Sequence, residues 1–266
     1  MTDTSSATPK PPLGIGAIIS ESFSILFGNF LNVLILGFLG TFAGFLVNGL
    51  LVGFDAAAGQ IDPTQLEDPS GFVVGSVISG IVTIAAYSLI IAMLVQLAYD
   101  AKLGRKGSLG AYFSSAIPAL FAIVVLSVVL TILAMIGAIA IIIGALWVYA
   151  VFYVFVPAAV IERTGFGSLG RSATLTKEYR WPIVGLFVLM AIIVLLVSFI
   201  PGFIGALIFG SVGSGGVGAF IASGVVLSLI NGLAYGLSGI ATALTYARLR
   251  EIKEGVAVDQ IAAVFD

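Results

Sequence analysis

The chain has 266 residues, 60% of them hydrophobic and 9% charged, with a net charge of −2 and a mean hydropathy of +1.20. A soluble domain carries about 25% charged residues, so this composition lacks the polar surface of a water-soluble globule, and it is too apolar for a disordered chain. There is no basic excess to draw nucleic acid, and the absence of Cys and His excludes disulfides, catalytic thiols, thiolate or imidazole metal ligands and the commonest general base.

Residues 1–11 (MTDTSSATPKP) read as a flexible cytoplasmic tail. Residues 15–30 (IGAIISESFSILFGNF) suit a helix but are too polar to span, so a helix lying in the membrane interface is expected there. About 20 apolar residues cross a hydrocarbon core about 30 Å thick. Residues 31–54 meet that length without a charge, and residues 73–98 do so again. The first run is longer than the 7–15 residues of a signal-peptide core, so cleavage at Ala56-Ala57-Ala58 after a Lys10 n-region is not expected. The loop between these spans carries Asp55, Asp62, Glu67 and Asp68 and no base. Its Asp62-Pro63 and Asp68-Pro69-Ser70 steps read as turns of a solvated loop rather than a calcium site.

Residues 116–161 are uncharged throughout. As one helix they would measure about 69 Å, twice the core, so two spans with a turn near Gly137 are expected. Residues 182–209 and 218–247 form the fifth and sixth spans, and Pro201-Gly202 predicts a kink in the fifth. The glycine-rich segment Ser211–Gly216 follows no strand and reads as a turn, not a phosphate cradle. With six spans, Lys10, Lys102, Arg105, Lys106, Arg163, Arg171, Lys177, Arg180, Arg248, Arg250 and Lys253, which are all 11 basic residues, fall on one side. By the positive-inside rule that side is the cytoplasm and holds both termini.

Gly107-Ser108-Leu109-Gly110 recurs as Gly167-Ser168-Leu169-Gly170, with a weaker copy at Leu13-Gly14. Each precedes a polar helical stretch (15–30, 111–116, 171–181) and then a pair of spans. The expected architecture is therefore an all-α integral membrane protein. Its six transmembrane helices form three helical hairpins, each preceded by an interfacial amphipathic helix. Residues 12–255 make a single membrane domain with units of about 12–106, 107–166 and 167–255, and residues 256–266 form a cytoplasmic C-terminal tail.

No Asp, Glu, Lys or Arg lies inside a span, which counts against a proton relay or ion-coupled pump. Ser76, Ser79, Thr83 and Tyr87 share one face of the second span by their spacing. Asn231, Tyr235, Ser238, Thr242 and Thr245 share one face of the sixth. Two readings of this polar seam stay open: a lining for a substrate path or lipid headgroup, or helix-helix packing through small and hydroxylated residues. The pairs Gly40/Gly44, Gly49/Gly53, Gly71/Gly75 and Gly232/Gly236, the last extended by Gly239, favour close helix approach. Arg163, Arg171, Lys177 and Arg180 are candidate contacts for lipid headgroups, or serve only to set topology. Phe30 and Trp181 sit where aromatic anchors meet the interface.

The run from Trp147 to Trp181 contains Pro157 near the end of the fourth span, Glu162 at its cytoplasmic mouth, and Arg171-Ser172 leading to Leu175 and Trp181. With the tail Ala247-Arg248-Leu249-Arg250-Glu251-Ile252-Lys253-Glu254-Gly255, it resembles the bacterial glycerophosphoryl diester phosphodiesterase membrane-domain-like family. The resemblance implies a six-helix bacterial inner-membrane protein and makes Trp147, Pro157, Glu162, Arg171, Ser172 and Trp181 its motif residues. The phosphodiesterase chemistry of that family rests on histidines and metal-bound carboxylates, and this chain has no histidine. The expectation is a non-enzymatic protein without catalytic residues, cofactor or metal. It would act as a scaffold, assembly factor or accessory subunit, in contact with membrane lipids and with partner membrane proteins or further copies of itself. The alternative is a transporter or lipid-handling protein using the seam between spans two and six.

Overall fold

Backbone N–H and C=O groups in a hydrocarbon layer find no partner outside their own segment, so long apolar runs fold as helices. The computed structural model describes residues 11–54, 69–139, 142–210 and 216–255, and among these the chain is all-helical. In chain order the helices are α1 (Ile15–Gly28), α2 (Phe30–Val52), α3 (Pro69–Lys102), α4 (Leu109–Ile139), α5 (Ile142–Phe152), α6 (Phe155–Ile161), α7 (Ser168–Leu175), α8 (Arg180–Gly210) and α9 (Gly216–Glu254). Six segments are long and apolar enough to cross a membrane: α2, α3, α4, α5 with α6, α8 and α9. The N-terminal tail up to Lys10, the acidic loop with its Ala56-Ala57-Ala58 step, the Ser211–Gly215 stretch and residues 256–266 lie outside the described residues.

The polar stretches before the spans do not fold alike. The first is a separate helix, α1, because Asn29 leaves helical geometry and its Nδ2 donates to Ile25 O at 3.1 Å. The second, 111–116, has no break after it and is the first part of α4. The third, 171–181, divides into the end of α7, a turn at 176–179 and the start of α8. The two Gly-Ser-Leu-Gly copies also differ. Ser108 caps α4 by accepting the Ala111 N–H at 3.2 Å, whereas Ser168 is the buried first residue of α7, its hydroxyl without a partner. The fifth span continues through Pro201 to Gly210. The turn expected near Gly137 falls between Ile139 and Ile142.

One break in the fourth span had no counterpart in the expectation. Pro157 has no N–H to give Tyr153 O, and the helix interrupts at Tyr153–Val154, placing Pro157 in the first turn of α6, where an amide proton has no acceptor anyway. The freed groups are stitched by the neighbouring segment. Ser172 Oγ donates to Val151 O at 3.1 Å and accepts the Val154 N–H at 3.3 Å, and Thr176 Oγ1 donates to Val151 O at 2.9 Å. The motif residues Pro157 and Ser172 are thus two halves of one local solution: the proline opens the helix and the serine satisfies what it opens.

α9 is the hub, packed on α1, α2, α3, α6, α7 and α8. Lipid tails are as apolar as Leu, so close backbone approach and van der Waals contact hold such helices together. Gly232 of α9 meets Gly37 of α2 backbone to backbone, Gly236 meets Val33, and Gly239 meets Leu94 of α3. Gly40 receives Ile90, and Gly44 faces Thr83. Gly37 belongs to none of the predicted glycine pairs, yet its backbone lies directly against that of α9. The core lies toward the end that bears the basic loops. α3 is buried at Leu94, Val95, Leu97 and Ala98 but exposed at Val73, Val77 and Ile81, and α9 is buried at Ile240, Tyr246 and Leu249. The end that carries the acidic loop is the more open one.

Candidate functional site

The openness at that end has a defined shape. α2, α3 and α9 diverge around an outer groove of about 530 Å³, lined on α3 by Ser76, Ser79, Thr83 and Tyr87, on α2 by Thr41, Gly44, Phe45 and Asn48, and on α9 by Ser228 and Asn231. Four of the predicted seam residues and Asn231 therefore face one space. Thr41, Asn48 and Ser228 were missed, although Thr41, Gly44 and Asn48 follow a three-then-four spacing that marks one face of the first span.

Some of these groups are satisfied within the protein. Thr41 Oγ1 has two acceptors for its one proton, Gly37 O on its own helix at 2.7 Å and Ser228 O of α9 at 2.9 Å, while Ser79 Oγ donates to Asn48 Oδ1 at 2.9 Å and ties α3 to α2. Asn231 Nδ2 donates to Leu227 O at 2.8 Å, four residues back on its own helix. Among the described residues Ser76 and Thr83 make no hydrogen bond to protein, and the Asn48 amide nitrogen and Asn231 Oδ1 are likewise unused. Among the described residues the groove offers both donors and acceptors and no charged side chain.

The rest of the sixth-span seam lies elsewhere. Tyr235, Ser238 and Thr242 line a second, half-open cavity of about 440 Å³, the inner cavity of the two, with Tyr149, Phe152, Tyr153, Phe155, Phe187 and other apolar residues of α3, α4 and α8. Ser238 and Thr242 donate to carbonyls one turn back at 2.9 Å each, a habit of hydroxyls in helices, so these bonds do not link helices. Thr245 lines neither space: it is fully buried and bonded to Ala241 O. Where the two spaces meet, the rings of Tyr87 and Tyr235 stack, centroids 4.5 Å apart and planes at 27°. Among the described residues the inner cavity has no charged lining residue either.

At the basic end an ionic cluster joins α6, α7 and α9. Arg171 grips Glu162 bidentately, Nε to Oε2 at 2.7 Å and Nη2 to Oε1 at 2.8 Å, and also pairs with Glu254. Arg250 bonds Glu254 at 2.8 Å, lies 3.6 Å from Glu162 and sits over the Tyr246 ring, and the Tyr246 hydroxyl donates to Glu162. The Glu162 hydrogen bond, reinforced by Glu254 against partial burial, holds the Arg171 proton more firmly than an ordinary arginine's. Arg171 is therefore engaged by two carboxylates. Arg180 rests its guanidinium 5.6 Å from the Trp147 ring, and Trp147 packs on Trp181 at 5.3 Å, with Trp181 65% exposed. Arg163 and Lys177 are exposed. Of the four candidate headgroup contacts, these two are exposed, Arg171 is held by two carboxylates, and Arg180 rests on the Trp147 ring with its Nε buried and without a hydrogen-bond partner among the described residues. The motif residues thus gather into two assemblies: Glu162, Arg171 and Ser172 around the broken fourth span, Trp147 and Trp181 at its flank.

Among the described residues no group of three or more acidic side chains is placed to hold a metal ion. No family model, curated protein or solved structure matches this chain.

Proposed function

We propose that the chain is a non-enzymatic multi-pass protein of a bacterial inner membrane, with both termini in the cytoplasm, and that it handles an uncharged, hydroxyl-bearing molecule through the outer groove. The segregation of basic residues and the resemblance of the Trp147–Trp181 run to the glycerophosphoryl diester phosphodiesterase membrane-domain-like family support the setting. In this reading the spans form three hairpins, and α1, the start of α4 and α7 lie at the cytoplasmic interface.

The observation that carries the functional reading is the unused hydrogen-bonding capacity of Ser76, Thr83, Asn48 and Asn231 around one groove. From Ser76 to Tyr87 the groove descends about 16 Å along α3, half the hydrocarbon thickness. At that depth a polar group without a partner costs roughly 1–3 kcal/mol, so the groove holds water or a polar ligand. A headgroup or solute bearing hydroxyls matches its mix of donors and acceptors, and nothing in the lining neutralises a charge.

A second reading, an accessory subunit or scaffold, draws on α8. Only 17% of the apolar window of this helix is buried within the chain, against 50% for α9, and Leu195, Leu196 and Phe199 are all at least 60% exposed, leaving a face for a partner protein.

Extraction into native nanodiscs followed by mass spectrometry separates these readings. Groove function predicts one uncharged hydroxylated lipid or solute retained by the wild-type protein and lost from Thr83→Val and Asn231→Leu. Recovery of a stoichiometric membrane protein, with no retained small molecule, would overturn it in favour of the scaffold.

A further inference from the structure

The polar seam is continuous in sequence spacing but not in space, and it changes hands at one level of the bundle. On α3, Thr83 faces the outer groove and Ile91 the inner cavity, with Tyr87 one turn from each. On α9, Asn231 faces the outer groove and Ser238 the inner cavity, with Tyr235 between them. The two phenol rings meet face to face at that shared level.

We infer that the Tyr87–Tyr235 stack is the partition between two chambers of one path, and that movement of these two rings is what joins the chambers. The inference rests on the groove being the working site, as proposed above.

The backbone around the stack is pinned. Gly232, three residues before Tyr235, sits against the backbone of Gly37, and Gly239, four residues after it, sits 3.1 Å (by an added Cβ) from Leu94 Cβ. α9 is thus held to α2 on one side of Tyr235 and to α3 on the other. Separating the helices to open a passage would break both contacts. Rotating a half-buried ring breaks neither; it gives up an offset aromatic contact and the hydrogen bond between the two tyrosine hydroxyls. The traffic admitted is uncharged, because among the described residues neither chamber has an acidic or basic lining residue to replace the hydration of an ion. The inner chamber, with six aromatic rings beside Ser238 and Thr242, suits a molecule with an apolar body and few hydroxyls.

The chain has no cysteine, so single-cysteine variants report without background. The experiment treats right-side-out membrane vesicles with a small, impermeant, uncharged methanethiosulfonate bearing several hydroxyl groups. Ser76→Cys reports the outer groove and Thr242→Cys the inner chamber. The expected result is rapid modification of Ser76→Cys and protection of Thr242→Cys. Adding Tyr87→Ala or Tyr235→Ala should raise modification of Thr242→Cys roughly tenfold, the scale of one lost stacking contact. Tyr87→Phe keeps the ring and should leave Thr242→Cys protected, which separates the stack from the hydroxyl and provides a well-packed control. Modification of Thr242→Cys with both tyrosines in place, or its continued protection in both alanine variants while Ser76→Cys reacts, would overturn the partition and leave the groove reading standing. Failure of Ser76→Cys itself to react would instead overturn the water-accessible groove.

Discussion

Replacing Gly232 by alanine places a methyl group where two helix backbones touch. A Cβ there would lie 2.6 Å from the Gly37 carbonyl carbon and 2.7 Å from Phe38 N, whereas ordinary contacts begin at 3.4 Å. No rotamer relieves a clash with backbone, so α2 and α9 must part by about 1 Å along their contact. Overpacking of this kind costs roughly 1–3 kcal/mol. Alanine's helix-propensity advantage of about 1 kcal/mol offsets little of this, because spans in a bilayer remain helical when they dissociate. The neighbouring glycines supply an internal scale. Gly239→Ala brings a methyl 3.1 Å from Leu94 Cβ, a contact eased by a small shift, and should cost less. Gly44→Ala brings one 3.7 Å from Thr83, an ordinary contact, and should stay within about 0.5 kcal/mol of wild type. Steric-trap unfolding in bicelles measures all three on one protein. Wild-type stability in Gly232→Ala, or a larger loss in Gly44→Ala than in Gly232→Ala, would refute the claim that backbone contact between α2 and α9 organises the bundle.

Glu162→Gln should destabilise by roughly 1–3 kcal/mol, because it leaves Arg171 and Arg250 sharing one carboxylate in a cluster that is only partly exposed; the same unfolding assay checks it. Arg171→Lys should recover little of an Arg171→Ala loss, since lysine cannot reproduce the two-pronged grip on Glu162. Ser172→Ala strands the Val154 N–H and removes one of two donors to Val151 O, a cost of about 1–3 kcal/mol, read as a lower unfolding midpoint. Thr83→Val should leave the unfolding midpoint near wild type, because Thr83 makes no hydrogen bond to protein, while abolishing retention of the groove ligand in native nanodiscs.

The sequence by itself determined how many apolar helices long enough to span there are and roughly where they lie, because length and uninterrupted hydropathy are local properties that a hydrocarbon layer reads directly. It also marked Gly232, Gly236 and Gly239 as a packing face, since small residues at helical spacing have one common use in such helices. It did not say what they pack on: Gly37 becomes a partner only when α2, distant in the chain, is laid against α9. The seam shows the same limit more sharply. Helical spacing places Asn231, Tyr235, Ser238 and Thr242 on one stripe, and this holds for a single helix. Whether a stripe faces one space depends on the neighbours, and here α2 covers one end while α4, α5 and α8 surround the other. The break at Tyr153–Val154 has a local cause in Pro157, but its repair by Ser172 comes from a segment that returns after a turn. Likewise, Arg171 reads as a free cation in the chain; the turn between α6 and α7 sets it against Glu162, nine residues back, and the end of α9 adds Glu254 and Arg250 to the cluster. Tertiary structure alone decided these matters, because hydrogen bonds and close contacts between helices depend on distance in space, and sequence spacing measures distance only along one helix.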